Sequence, residues 1–118
     1  MLTYLPTQSE QLDAVFSALS NPIRRSIIEQ LANRDCTVNE LAEPHSISRP
    51  GVSQHLRVLE KAGLVEQTID GRIRRCSLNV QPLSNAFTWL VRYRVFWEKL
   101  LDEIQDKVEE DEEVELKK

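Results

Sequence analysis

Ser48, Arg49, Pro50, Ser53, Gln54 and Arg57 fall within ten consecutive positions of the stretch "ISRPGVSQHLRVLEKAGL", residues 47–64. Apart from the proline they are short hydroxyls and long multi-donor side chains, and no acid appears in the stretch before Glu60. Such groups can read base edges in a DNA major groove: Gln pairs with adenine in bidentate fashion, Arg with guanine, and Ser with several bases. Further along, "DGRIRR" supplies Arg72, Arg74 and Arg75, cations suited to phosphates or a minor groove, which position a protein rather than specify a sequence. Any one of these residues alone reads as an ordinary solvated side chain. Their combination favours nucleic acid.

The groups act together only if a helix presents them on one face. Val52, Leu56 and Leu59 gather in a narrow arc of the helical wheel, with Pro50, Gln54, Arg57 and Lys61 opposite and Ser53 beside them. The spacing predicts a helix over residues 48–62. Ser48 is its N-cap, Pro50 is tolerated in its first turn, and Gly63 is the left-handed residue past its end. His55 lies on the border of the apolar arc, where packing or a phosphate contact suits it better than base reading.

Upstream, Leu12, Val15, Phe16 and Leu19 mark one face of a first helix. Asn21 and Pro22 then start a second, with Ile23, Ile27 and Leu31 inward and Arg24 and Arg25 outward near its start. Two arginines there oppose the helix dipole, so they either meet a phosphate or an acid or are simply solvated. Thr37 and Glu40 have capping-box spacing, which places a short extended piece around Cys36 before a brief third helix closed by Pro44. "PHSI" joins that helix to the next, with His45 on the surface. Downstream, "LVEQTI", "DG" and "RIRRCSL" predict a β-hairpin over residues 64–78 with a type I′ turn at Asp70-Gly71.

From Pro82 the pattern predicts one long helix. Ala86, Leu90, Tyr93, Trp97, Leu100, Leu101, Ile104 and Val108 share about a third of its wheel, and Phe87, Trp89, Val91, Val95 and Phe96 widen the apolar surface in its first half. A helix apolar on several sides must touch more than one partner surface, and the second partner is expected to be another copy of the chain. Leu12, Phe16, Leu90, Tyr93, Trp97, Leu100, Leu101 and Ile104 are the expected interface. The cluster Trp89, Tyr93, Phe96 and Trp97 reads better as core or interface than as an effector pocket.

The order is helix, helix, short strand, helix, turn, helix, β-hairpin, helix. The fold class expected is mainly α with a small β-hairpin wing: a winged helix-turn-helix with a long C-terminal dimerisation helix. In 118 residues, 41% hydrophobic and 29% charged, residues 1–108 form one domain and residues 109–118 an acidic tail, either a solvated helix end or a disordered stub. The net charge of −4 conceals a basic middle, since residues 45–80 hold six bases against three acids while both flanks are acidic. No apolar run approaches a membrane span, and "MLTYLPTQSEQ" lacks the regions of a signal peptide, so no membrane partner and a cytoplasmic location are expected. Cys36 and Cys76 form no Cys-x-x-Cys pair. The winged arrangement brings their strands together, where buried small hydrophobes are the better reading and a thiol switch the alternative. With three Gly in the chain, no glycine-rich phosphate loop and no nucleophile or metal-ligand cluster, neither enzymatic activity nor a cofactor is expected.

"FSALSNPIRRSIIEQLA", "TVNELAEPHSISRPGVSQHLRVLEKAGLVEQTIDGRIRRCSLN" and "WLVRYRVFWEKLLDEI" resemble the ArsR/SmtB-type winged-helix transcriptional repressors, over roughly residues 12–108. The resemblance implies a homodimer joined through its first and last helices, binding an inverted-repeat operator on double-stranded DNA as a repressor. It carries base reading onto Ser48, Arg49, Ser53, Gln54 and Arg57, and wing contacts onto Arg72 and Arg74. Metal-sensing members show a Cys-x-Cys in the third helix or His and Asp ligands along the last. Here the third helix reads "TVNELAEPH" and residues 77–118 hold no His, so the chain resembles the branch without those sites. The alternative class is a winged-helix module that binds a protein rather than DNA.

Overall fold

The computed structural model describes residues 6–116. Its elements follow in the order α1 (Gln8–Leu19), α2 (Pro22–Asn33), β1 (Cys36–Thr37), α3 (Val38–Ala42), α4 (Arg49–Lys61), β2 (Val65–Asp70), β3 (Ile73–Leu78), α5 (Gln81–Val91) and α6 (Arg94–Leu116). The described residues divide into two compact units, one ending at Ala86 and the other beginning at Phe87.

Local hydrogen-bonding chemistry sets the helix starts of the first unit. Asn21 Oδ1 accepts from the Ile23 and Arg24 amides at 2.9 and 3.1 Å, and Ser48 Oγ accepts from the Gly51 amide. The expected capping box is complete: Thr37 Oγ1 accepts from the Glu40 amide, and Glu40 Oε1 accepts from the Thr37 amide at 3.0 Å. That backbone bond, with the Arg34 guanidinium against the other carboxylate oxygen, lowers the Glu40 pKa from 4.5 to about 2. A depressed carboxylate pKa stabilises the fold above pH about 4.5, and the contribution disappears as pH falls toward 2. Acid titration of the thermal midpoint is therefore expected to fall more steeply across that window for the wild type than for Glu40→Gln. Equal slopes in the two proteins would assign the loss to other carboxylates.

α4 ends in a Schellman motif. The Leu64 amide donates to the Leu59 carbonyl and the Gly63 amide to the Glu60 carbonyl, both at 2.9 Å, around Gly63 at φ +76°. Leu59 and Leu64, the apolar pair of this motif, are both fully buried. They join Val15, Ile27, Leu41, Val52, Leu56 and Cys76 in one core, to which each large aliphatic contributes roughly 1.5–3 kcal/mol. The core face of α4 is thus the predicted arc of Val52, Leu56 and Leu59.

The sheet is antiparallel with order β1-β3-β2. Cys36 lies opposite Cys76 and Thr37 opposite Arg75, so the short first strand does pair with the last wing strand. The hairpin tip differs from the expectation. Asp70 pairs with Ile73, leaving Gly71 and Arg72 as the two central turn residues. Only Gly71 has positive φ, at +62°, the pattern of a type II′ rather than a type I′ turn. A type I′ turn needs positive φ at both central residues, and the pairing leaves Arg72 as the second.

The C-terminal pattern is also not one helix. At Arg92 and Tyr93 the ladder closes tightly, the Tyr93 amide bonding the Leu90 carbonyl at 3.1 Å, and α6 restarts at Arg94. The interruption falls in residues 88–97, where β-branched and aromatic residues dominate and helix propensity is weaker than in an Ala-, Leu- or Glu-rich segment. α6 runs through the acidic stretch to Leu116, so the tail is a helix end as far as it is described, and Lys117 and Lys118 lie outside the described residues. In the second unit Trp89 packs on Tyr93 with centroids 5.1 Å apart and Phe96 meets Trp97 edge-on. Phe87, Tyr93, Val95, Phe96, Trp97 and Leu101 remain exposed.

Candidate nucleic-acid interface

α3, the turn after it and α4 form the helix-turn-helix, and β2 and β3 form the wing. With Val52, Leu56 and Leu59 held in the core, α4 turns its other side to solvent: Ser48, Arg49, Pro50, Gln54, Arg57 and Lys61 are exposed, while Ser53 and His55 are half-buried. The wing places Arg72, Arg74 and Arg75 on its exposed strand end. Arg49, Arg72 and Arg74 converge with Thr37, Val38, Asn39 and Ile73 on a cleft of about 270 Å³ between the starts of α3 and α4 and the wing tip.

The partners of these side chains separate structural arginines from free ones. Among the described residues Arg49, Gln54, Arg57, Arg72 and Arg75 have no side-chain hydrogen bond or ion pair within the chain. Their donors are unspent. Arg74 instead donates to Ser53 Oγ at 2.9 Å, tying the wing to the recognition helix. This contact joins two residues assigned separate duties, base reading for Ser53 and a wing contact for Arg74.

Arg24 and Arg25 are neither salt-bridged nor merely solvated. Arg24 donates to the Ala18 carbonyl at 2.7 Å and the Ser17 carbonyl at 3.2 Å, and Arg25 to the Leu19 carbonyl at 2.8 Å. They start α2 but serve the end of α1, whose last carbonyls have no intrahelical partner and favour positive charge. The remaining arm of Arg24 reaches His55 Nδ1 at 3.3 Å. Burial first, and the neighbouring Arg24 second, lower the His55 pKa, which favours the neutral ring. His45, expected on the surface, is half-buried with its Nε2 3.5 Å from Gln30 Nε2.

Sequence reasoning missed one contributor and the partners of another residue. Asn39, exposed on the first helix of the pair, lines the arginine cleft, and its only sequence signal is a polar residue where that helix crosses a DNA backbone. Arg24 stands out in the sequence for its position, but its partners come from α1 and α4, which no local pattern relates.

Cys36 and Cys76 are free, buried and opposed across β1 and β3. Burial raises both thiol pKa values, that of Cys76 to about 11, which disfavours the reactive thiolate. Among the described residues no three His, Cys, Asp or Glu side chains gather to hold a metal ion. None of the described helices is long and apolar enough to cross a membrane.

A donor-rich helix held in a helix-turn-helix, with an arginine-bearing wing beside it, defines a winged-helix DNA-binding protein. Residues 21–67 match the model of the bacterial regulatory protein arsR family. The transcriptional repressor SdpR of Bacillus subtilis is 33% identical over 82 residues, 70% of this chain and 91% of that protein. The HTH-type transcriptional regulator Rv2034 of Mycobacterium tuberculosis is 40% identical over 89 residues, 75% of this chain and 80% of that protein. The crystal structure of the ArsR family transcriptional regulator RHA00566 superposes with a TM-score of 0.72 at 33% identity, covering 83% of this chain and 97% of that one. The chain belongs to the ArsR family and is a sequence-specific DNA-binding transcriptional regulator.

Proposed function

We propose that the protein is a homodimeric cytoplasmic repressor that binds an inverted-repeat operator, with residues 1–108 as its winged-helix body. Ser48, Arg49, Ser53, Gln54 and Arg57 face the major groove, Pro50 sets the first turn of the reading helix, and His55 meets the DNA backbone. Arg72, Arg74 and Arg75 follow the adjacent phosphates. The observation that carries this reading is the set of unpartnered donors on one acid-free face of α4 and on the wing. Leu12, Phe16, Leu90, Tyr93, Trp97, Leu100, Leu101 and Ile104 pair with a second copy, and exposed apolar side chains on α5 and α6 suit that role. Two reading helices then sit about 34–36 Å apart, one helical turn of DNA.

Selection from random-sequence duplexes tests the reading directly. Enrichment of an inverted repeat is the expected result, and no enriched sequence would transfer the protein to the class of protein-interaction modules. With the selected duplex, Arg72→Ala is expected to weaken all sequences alike. It should also flatten the plot of log affinity against log salt by roughly 0.9 for each phosphate that the side chain neutralises. A change in base preference without a change in salt slope would place Arg72 on a base instead.

A further inference from the structure

Arg24 joins three elements of the first unit. Two of its nitrogens cap the end of α1 at the Ser17 and Ala18 carbonyls, and a third lies 3.3 Å from Nδ1 of His55 on α4. A guanidinium has donors and no acceptor, and it is not deprotonated in proteins. The contact therefore requires an unprotonated Nδ1 lone pair, and the proton of a neutral ring must sit on Nε2. Among the described residues this is the only hydrogen bond of the His55 ring. Among the described residues no buried side-chain nitrogen or oxygen lacks a partner, so Nε2, which has none, opens to solvent. It does so at the edge of the reading face, between exposed Gln54 and buried Leu56.

We propose that Arg24 is a positioning residue that fixes His55 as the Nε2–H tautomer, so that the ring donates a neutral hydrogen bond to a DNA phosphate oxygen. The phosphate role rests on the proposed operator binding, whereas the tautomer does not. At the border of α4 the acceptor that a donor meets is backbone phosphate rather than a base edge. Because Arg24 is anchored on the end of α1, the same contact makes the ring orientation depend on the α1–α2 corner.

Nitrogen–proton correlation NMR of the histidine rings in the free, full-length protein at neutral pH reads the tautomer without DNA. Protonated Nε2 and bare Nδ1 on His55 are expected, and a proton on Nδ1 or a mixed tautomer overturns the role of Arg24. On the selected duplex, H55A is expected to lose roughly two- to tenfold in affinity per half-site. H55Q, whose amide N–H₂ can replace the Nε2–H donor, stays near wild type. Since a neutral donor releases no counterion, the salt slope of H55A matches wild type. Equal losses for H55A and H55Q overturn the donor contact, and a reduced salt slope for H55A overturns its neutrality, even if the tautomer is confirmed. R24K, which keeps the charge but cannot bridge the α1 carbonyls and the ring together, is expected to give mixed tautomers and to lose less affinity on adding H55A than the wild type does. Additive losses in that double variant count against positioning through His55. Absence of any enriched duplex refutes the DNA reading and leaves the NMR result standing on its own.

Discussion

Arg57→Ala is expected to lower affinity for the selected duplex by about 1–3 kcal/mol per half-site, roughly fivefold to more than a hundredfold, while leaving the thermal midpoint unchanged. Arg57 is exposed on α4 and has no side-chain partner among the described residues. Its removal opens no cavity and orphans no buried group, so the folded chain loses little. What disappears is a bidentate fork of the kind that discriminates guanine, and preference at one base of each half-site should relax. Fluorescence anisotropy at fixed salt on the selected duplex and its single-base variants measures both effects. Unchanged affinity together with unchanged base preference would remove Arg57 from the reading face.

Its neighbour gives the opposite result. Leu56→Ala is expected to cost about 2–5 kcal/mol of folding stability, because a fully buried aliphatic is replaced by a void. Against the roughly 5–15 kcal/mol by which domains of this size are stable, that is a large fraction. The loss should appear as a lower urea midpoint, and DNA affinity should fall only as the folded population falls. Leu56→Met, which nearly conserves volume, is expected to cost less than about 1.5 kcal/mol. If Leu56→Ala left the urea midpoint unchanged, α4 would not be seated as described. Adjacent positions of one helix thus separate affinity from stability.

Much of this was legible in the sequence because it is local. Asn21, Thr37 with Glu40, Ser48 and Gly63 each act within five residues through the backbone, and each makes its expected cap. The arc of Val52, Leu56 and Leu59 needed only helical periodicity. The departures involve longer-range or competing effects. Arg24 and Arg25 serve carbonyls of the preceding helix, and the angle of that corner is set by core packing. The turn tip moved one residue because strand pairing, not the Asp-Gly dipeptide alone, decides which residues stand at its centre. The interruption at Arg92 and Tyr93 carries no Pro or Gly to announce it. Of the reading face, residue types and exposure were legible, while the Ser53–Arg74 contact, which spans a helix and a strand, was not.

The two-residue turn at Gly71 and Arg72 also limits how such a wing can evolve. Arg74 reaches Ser53 only while β3 keeps its face toward α4. One residue inserted into β3 between Arg74 and Cys76 would turn every side chain on the tip side of it to the opposite face, carrying the arginines with it. Lengthening that preserves their orientation must add two residues to each strand, a whole pleat at a time. Wing length in this architecture is therefore stepped, and intermediate lengths require a bulge to absorb the odd residue.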